Sequence, residues 1–203
     1  MLGLPELESR LRSSVVLPVL RAGSVAEALS QAERCDAAGL DVIELTTSIP
    51  GWQVAIRETA KAFPHRVVGL GTVLGAEDAR VAVSVGADFL VSPCPVPEVR
   101  EAAAETGIAL LEGGMTIREV LGASTRGIAK LFPASIVGRA FLASLRQISP
   151  TARVIPTGGI ALADVGSWIQ AGALAVGVGR ELFTNPDLQE AITQIQTSKG
   201  ESR

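Results

Sequence analysis

The chain has 203 residues, of which 47% are hydrophobic and 19% are charged, and its formal net charge at pH 7 is -3. This length and composition predict a single α/β domain over residues 1–203, built around one apolar core. The charge predicts no surface for nucleic acid or for an anionic membrane, and the sequence has neither a membrane-spanning apolar run nor the pattern of a signal peptide.

Short β-branched runs alternate with Ala-rich amphipathic segments, after a short N-terminal helix. The predicted strands are 15–20, 41–46, 67–71, 88–91, 108–111, 127–132, 153–156 and 173–177. Helices are predicted between them, for example over 25–38, 54–63 and 76–85, and several end at a glycine. Eight strand-helix units are the number that closes a parallel sheet into a TIM (β/α)8 barrel. We therefore predict this fold.

An open doubly wound sheet would produce the same alternation of strands and helices. That architecture predicts a dinucleotide-binding fingerprint after the first strand, and segment 21–24, Arg-Ala-Gly-Ser, is not one. In either fold, functional groups collect just beyond the C-terminal ends of the strands. The barrel is the preferred interpretation.

Lys130 lies in the apolar segment 127–133, and the chain has only three lysines against fifteen arginines. A partly desolvated lysine loses its proton more readily, and the neutral amine can attack a ketone to form a Schiff base. Arginine stays protonated and cannot do so. The alternative is a lysine that buries its stem and extends its ammonium group to solvent.

Glu44 interrupts the second predicted strand, whose other central residues are apolar. One interpretation is an interior carboxylate that pairs with an arginine. The other is a group for proton transfer near a Schiff-base lysine, a task for which a partly buried glutamate is suited. The sequence leaves both interpretations open.

Glycine-bearing segments follow the seventh and eighth predicted strands, with Thr157 before Gly158 and Gly159, and with Gly179 before Arg180. Barrels often bind phosphate at this place, because glycine N–H groups and a helix N-terminus face the anion. The arginine would add a direct charge contact. Alternatively, the glycines only form tight turns between strand and helix.

Metal chemistry has little support in the sequence, and we expect neither a metal nor another cofactor. The single histidine, His65, precedes a predicted strand. Cys35 and Cys94 match neither a disulfide framework nor a zinc spacing, and Cys94 has no histidine partner for nucleophilic work. A reducing, cytoplasmic location is expected.

Seven segments resemble, in order and over nearly the whole chain, the 2-keto-3-deoxy-6-phosphogluconate (KDPG) and 4-hydroxy-2-oxoglutarate aldolase family. They are 17–21, 42–46, 69–74, 92–93, 113–116, 130–134 and 156–160. Lys-x-Phe-Pro at 130–133 and Gly-x-Gly-Thr-Val-Leu at 69–74 are specific together, whereas Gly-Gly-Ile occurs in many phosphate-binding barrels.

The resemblance implies a class I aldolase, usually a homotrimer, that cleaves a phosphorylated 2-keto-3-deoxy sugar acid to pyruvate and glyceraldehyde 3-phosphate. It implies that Lys130 forms the Schiff base, that Glu44 is the general acid/base and that Thr72 contacts the pyruvate carboxylate. Phe132 and Pro133 would shape the pyruvyl pocket. Further substrate contacts are expected at Ser92, Pro93 and Thr157, and phosphate contacts at Gly158, Gly159, Gly179 and Arg180.

Two positions depart from the family pattern. Many KDPG aldolases carry an arginine shortly after the strand-two glutamate, and segment 44–52 has none. Arg21, with Pro50 and Trp52, instead looks like the aldolases of the galactonate epimer, and we hypothesise that Arg21 supplies the charge for the carboxylate. Glu112 stands where the family commonly has proline. The C4 epimer, and the choice between phosphorylated substrates and 4-hydroxy-2-oxoglutarate, stay open.

Two other functions also stay open. A phosphate-binding barrel of the thiamine-phosphate-synthase or phosphosugar-isomerase type would fit the glycine segments without needing Lys130. A barrel that only binds a phosphorylated metabolite is the third possibility. Neither would form a covalent adduct with pyruvate.

Overall fold

The computed structural model describes the backbone of residues 2–200 and the side chains up to residue 197. Eight parallel strands lie in the order β7-β6-β5-β4-β3-β2-β1-β8. A parallel bridge between Thr157 and Gly177 joins the two outer strands and closes the barrel. The strands are β1 Val16–Leu20, β2 Val42–Thr46, β3 Val67–Gly71, β4 Phe89–Val91, β5 Ala109–Gly114, β6 Ile128–Leu131, β7 Val154–Pro156 and β8 Val176–Val178.

Helices lie between successive strands and cover the outside of the barrel. A 3₁₀ helix, Leu162–Asp164, follows β7. None of the helices in the described part of the chain is long and apolar enough to cross a bilayer. The α-helices are α1 Leu4–Ser14, α2 Val25–Ala37, α3 Trp52–Ala62, α4 Ala76–Ser84, α5 Pro97–Thr106, α6 Ile117–Arg126, α7 Ala134–Val137, α8 Arg139–Ile148, α9 Val165–Gln170, α10 Glu181–Thr184 and α11 Leu188–Gly200.

This architecture confirms the predicted TIM barrel with its short N-terminal helix. Most strands lie within a residue or two of their predicted bounds, and the two clear differences concern β5 and β8. β5 continues past residue 111 because Gly113 has no side chain to collide with Pro93 and still pairs with Lys130. β8 pairs with β1 only from Val176 onward, since Leu174 donates its N–H to β7 instead.

Local signals at the helix ends explain where the helices begin. Ser24 caps α2 by accepting a hydrogen bond from the Glu27 N–H at 3.2 Å. Thr116 and Glu119 form a capping box at the start of α6. Backbone N–H groups of Met115 and Thr116 donate to the Glu119 carboxylate, which lowers the pKa of that group. The loop after β5 is thereby fixed.

The apolar core divides into an outer layer between sheet and helices and an inner cluster within the barrel. Leu7 and Leu11 of α1 belong to the inner cluster and are fully buried. Their spacing of four residues places both on one face of the helix. α1 therefore closes the end of the barrel at which the strands begin.

We predict that Leu11→Ala lowers the free energy of unfolding by about 2–5 kcal/mol, because it leaves a cavity where α1 seals the barrel. Ile148→Ala removes the same kind of side chain from a position that is 63% exposed and should change stability by no more than about 0.5 kcal/mol. Chemical denaturation of both variants checks the prediction. Equal losses of stability would show that α1 does not seal the barrel.

Candidate functional site

A lysine and a glutamate from opposite sides of the barrel meet in its interior. Lys130 lies on β6 and Glu44 on β2, four strands away in an eight-stranded barrel. The Lys130 Nζ atom is 3.2 Å from Glu44 Oε1, and the two residues are 4% and 0% exposed. A buried charged pair of this kind carries a large desolvation cost, and such a cost is commonly tolerated at sites that do chemistry.

Glycine makes the room that Glu44 occupies. A Cβ atom on Gly71 would lie 1.9 Å from Glu44 Oε1. The residue at this end of β3 must therefore lack a side chain if the carboxylate is to contact Lys130. The second oxygen, Glu44 Oε2, is buried and has no hydrogen-bond partner among the described residues. A buried carboxylate oxygen without a donor is costly and is free to accept a proton or a hydrogen bond from a ligand.

Phe132 separates the Lys130 amine from the end of β7. The centroid of its ring lies 5.7 Å from Lys130 Nζ. A Cβ atom on Gly158 would come within 2.9 Å of the same ring. The next peptide bond, between Phe132 and Pro133, is cis. Of the two predicted pocket residues, Phe132 therefore lies beside the Lys130 amine, and Pro133 follows it in the chain.

Arg21 and Thr72 meet above the ends of β1 and β3. The Arg21 Nη2 atom donates to Thr72 Oγ1 at 3.5 Å, and the arginine is exposed while the threonine is half-buried. Thr72 has a φ of 62°, a left-handed conformation that is unusual for a β-branched residue. A cation and a hydroxyl are therefore together at the same end of the barrel as the Lys130–Glu44 pair.

Ser92 and Pro93 lie in the wall between β4 and β5. The Gly113 N–H donates to Ser92 Oγ at 3.3 Å, and the Pro93 backbone lies directly against Gly113. Ser92 is fully buried and Pro93 is half-buried. The Ser92 hydroxyl therefore ties β4 to the strand that pairs with Lys130.

The predicted phosphate residues gather beyond β7 and β8. Gly158 and Gly159 have φ values of 99° and 69°, which only glycine adopts at little cost. Apart from its chain neighbours, the described residues place one atom within 4 Å of a Cβ atom on Gly179, the Val19 carbonyl oxygen at 3.7 Å, so this backbone is little crowded. Arg180 is exposed beside it.

The sequence led us to expect a helix N-terminus facing the phosphate after β7 and β8, but the elements that follow these strands are very short. β7 leads into a 3₁₀ helix of three residues, and β8 leads into α10, which has four residues. Short helices of this kind contribute little dipole, because the macrodipole is the sum of aligned peptide units. Anion binding here would rest on backbone N–H groups and on Arg180.

Ser135 is a neighbour of this cradle that the sequence did not reveal. Its N–H donates to the Gly158 carbonyl at 3.0 Å, and its Oγ atom would be 2.4 Å from a Cβ atom on Gly159. It follows Lys-x-Phe-Pro-Ala by one position, in the short helix α7. A hydroxyl in so short a segment has no periodic pattern that could single it out.

Glu112 lies outside the site. It pairs with Ala129, whereas its neighbour Gly113 pairs with Lys130, so Glu112 faces the helices. Its carboxylate accepts from Arg100 Nε at 3.0 Å and also contacts Arg126. The departure from the family pattern at this position therefore links β5 to α5 and α6.

The described residues contain no cluster of three histidine, cysteine or acidic groups that could hold a metal ion. His65 contacts Asp36 Oδ1 at 3.0 Å, next to the start of β3. Cys35 is buried, which raises the pKa of its thiol to about 12, and Cys94 is exposed.

A cavity of about 1330 Å³ opens on the opposite face of the barrel, near the starts of β7 and β8. Its arginines already have partners within the chain. Arg153 contacts Glu8 and the Ser124 carbonyl, and Arg146 contacts the Gly172 carbonyl. Because it holds no nucleophile paired with an acid or base, we place the candidate site at the Lys130 end.

A family model for KDPG and KHG aldolase matches residues 7–196. The chain is similar to a 2-dehydro-3-deoxy-phosphogluconate aldolase of Pseudomonas aeruginosa, with 31% identity over 168 residues that cover 80% of this chain and 76% of the relative. It is also similar to a 2-dehydro-3-deoxy-6-phosphogalactonate aldolase of Escherichia coli K12. That identity is 28% over 172 residues, which cover 83% of this chain and 84% of the relative.

Solved structures give the same result. A KDPG aldolase from Legionella pneumophila, with pyruvate captured as a covalent carbinolamine intermediate, has a TM-score of 0.80 at 26% identity and covers 94% of this chain and 96% of its own. A designed porous cage made by fusing symmetric oligomeric domains has a TM-score of 0.83 at 25% identity. That match covers 92% of this chain and 75% of the cage chain.

We predict that Gly71→Ala displaces the Glu44 carboxylate from Lys130, because the new methyl group would occupy its place. The crowding should cost about 1–3 kcal/mol of stability. Gly75→Ala is the matched control, since no atom lies within 4 Å of the added Cβ. Crystal structures and denaturation curves of both variants check this. An unchanged Lys130–Glu44 distance in Gly71→Ala would contradict the described packing.

Proposed function

We propose, on the premise that this chain belongs to the KDPG and KHG aldolase family, that Lys130 and Glu44 are its catalytic pair. The chain is an aldolase, and so a lyase. The observation that carries the assignment is the contact at 3.2 Å between a buried amine and a buried carboxylate. Neither alternative barrel function, phosphosugar isomerisation or simple metabolite binding, needs such a pair.

The reaction begins at the Lys130 amine. Its nitrogen adds to the C2 ketone of the substrate and forms a carbinolamine, which loses water to give an iminium ion. Glu44 is suited to move the protons of this step because Oε1 already contacts the amine. Phe132 and Pro133 border the space in which the three-carbon keto acid portion would lie.

Cleavage follows from the iminium ion, which accepts the electron pair of the C3–C4 bond. Glu44 takes the proton of the C4 hydroxyl as that bond breaks, and the aldehyde leaves. Oε2, which has no partner among the described groups, is the oxygen suited to receive this proton. The remaining enamine is protonated at C3, and hydrolysis of the resulting imine releases pyruvate and restores Lys130.

The substrate is a 2-keto-3-deoxy acid with an anionic group at each end. Arg21 and Thr72 support carboxylate binding at one side of the Lys130 amine. Gly158, Gly159 and Gly179, with Arg180, support phosphate binding at the other. A 2-dehydro-3-deoxy-6-phosphogluconate substrate fits this arrangement, and 4-hydroxy-2-oxoglutarate would use the carboxylate side in the same way.

The galactonate epimer is the second candidate substrate. One observation favours it: the guanidinium group that contacts Thr72 belongs to Arg21, directly after β1, and segment 44–52 supplies no arginine. Glu44 acts on the hydroxyl at C4, so the two epimers differ at the bond that breaks. Turnover measured with both pure epimers decides between them.

We further propose that residues 1–203 form one barrel domain that works as a homotrimer in the cytoplasm. The similarity to a cage made of symmetric oligomeric domains supports an oligomer. The loops and the short helix that follow β3, β5 and β6 carry exposed apolar side chains, those of Leu74, Met115 and Ile136. A subunit interface would bury these side chains away from water. Two free cysteines, one of them exposed, fit a reducing compartment.

We predict that pyruvate and borohydride leave a stable adduct on Lys130. Borohydride reduces the imine to a secondary amine, and peptide mass spectrometry locates it. Lys130→Arg should form no adduct and lose turnover, since a guanidinium group cannot form the iminium ion.

Lys61→Arg is the matched control for this experiment, because Lys61 is an exposed lysine on α3. It should keep both the adduct and turnover. An adduct in Lys130→Arg, or none in the folded unmodified chain, would overturn the proposed mechanism.

We predict that Arg21→Ala weakens pyruvate binding about tenfold, the size expected for a lost hydrogen bond to a charged group. Arg180→Ala should leave pyruvate binding unchanged and weaken only phosphorylated substrates. Both are exposed arginines at the same end of the barrel. Saturation of borohydride trapping with pyruvate measures the affinity. Equal affinities of Arg21→Ala and the unmodified chain would remove Arg21 from the carboxylate site.

A further inference from the structure

Thr72 is held in a strained backbone conformation next to the candidate carboxylate site. Apart from glycines, only Val15 and Thr72 have a positive φ in the described part of the chain. This region is unfavourable for a β-branched residue, and such residues persist there only when their surroundings hold them in place. The contacts of Thr72 therefore show what fixes it.

The clearest side-chain contact on the Thr72 backbone comes from Thr47, the residue directly after β2. Thr47 Oγ1 donates to the Thr72 carbonyl oxygen at 2.9 Å. The Thr47 N–H donates to the preceding carbonyl, that of Gly71, at 3.0 Å, and Val73 N–H donates to Val91. Thr47 thus donates hydrogen bonds to two successive carbonyl groups at the end of β3, one from its backbone N–H and one from its hydroxyl.

The orientation of Thr72 matters because of its own hydroxyl group. Thr72 Oγ1 accepts from Arg21 Nη2 at 3.5 Å, so its O–H proton remains free to donate. A hydroxyl donor beside a guanidinium group is suited to bind a carboxylate. Thr47 is half-buried, and its described hydrogen bonds go to the backbone at the end of β3 and not to Lys130 or Glu44. It therefore acts on the Thr72 hydroxyl through the Thr72 backbone.

We infer that Thr47 is a positioning residue for substrate carboxylate recognition, acting through its hydrogen bond to the Thr72 carbonyl. This inference rests on the proposed aldolase function and adds a residue to its carboxylate site. Thr47 sets the direction of the Thr72 hydroxyl and thereby its partnership with Arg21. The imine chemistry at Lys130 does not depend on it.

The test compares Thr47→Val, which keeps the shape but lacks the hydroxyl, with Thr47→Ser, which keeps the hydroxyl. Borohydride trapping is titrated with pyruvate and, separately, with hydroxyacetone, a ketone without a carboxylate. Thr47→Val should need about tenfold more pyruvate for half-maximal trapping, the loss expected for one hydrogen bond to a group that orients a charged contact. Its trapping of hydroxyacetone should equal that of the unmodified chain.

Thr47→Ser should restore pyruvate trapping, which a general packing defect would not allow. Equal pyruvate titrations for Thr47→Val and the unmodified chain would overturn the inference while leaving the aldolase mechanism intact. Parallel losses with pyruvate and hydroxyacetone would overturn it as well, since they indicate damage to the Lys130 site. Absence of any adduct in the unmodified chain would remove the proposed function and this inference together.

Discussion

Burial of Lys130 against Glu44 is the constraint on which the rest of the barrel interior depends. Two charges removed from water are tolerated only when they are paired, and loss of one partner from such a pair commonly costs about 3–5 kcal/mol. The bare backbone at Gly71 follows from this requirement, because a Cβ atom there would occupy the place of the Glu44 carboxylate. Gly113 serves the neighbouring wall instead, since it lets β5 lie against the Ser92–Pro93 backbone.

The two ends of the barrel have different tasks. At one end, Leu7 and Leu11 seal the interior with apolar contacts, so stability is concentrated there. At the other, Thr72 is held in a left-handed conformation, and Glu44 Oε2 has no hydrogen-bond partner among the residues that the structure describes. Both features cost stability. This division, with a sealed base and a costly open end, is typical of barrels whose strand ends carry function.

The barrel and the buried position of Lys130 could be predicted because each leaves a clear signal in the sequence. Eight buried strands repeat at even spacing, and Lys130 stands out in an apolar run. The sequence left Glu44 open between an interior ion pair and a proton-transfer group, and it placed Glu112 just after its predicted strand, so it did not show which way either carboxylate points. Only the pairing register shows that one points inward and the other toward α5 and α6. Thr47 and Ser135 gave no signal, because a hydroxyl in a turn gains its role from contacts distant in sequence.

The exchange of pyruvate methyl hydrogens for deuterium in D₂O, followed by NMR, tests most directly whether the buried pair is the catalytic centre. Exchange requires an imine at Lys130 and a base that removes a C3 proton. We predict rapid exchange by the unmodified chain, none by Lys130→Arg, and a rate about 10²–10⁴-fold lower for Glu44→Gln. Undiminished exchange in Glu44→Gln, or any exchange in Lys130→Arg above the uncatalysed rate, would contradict it.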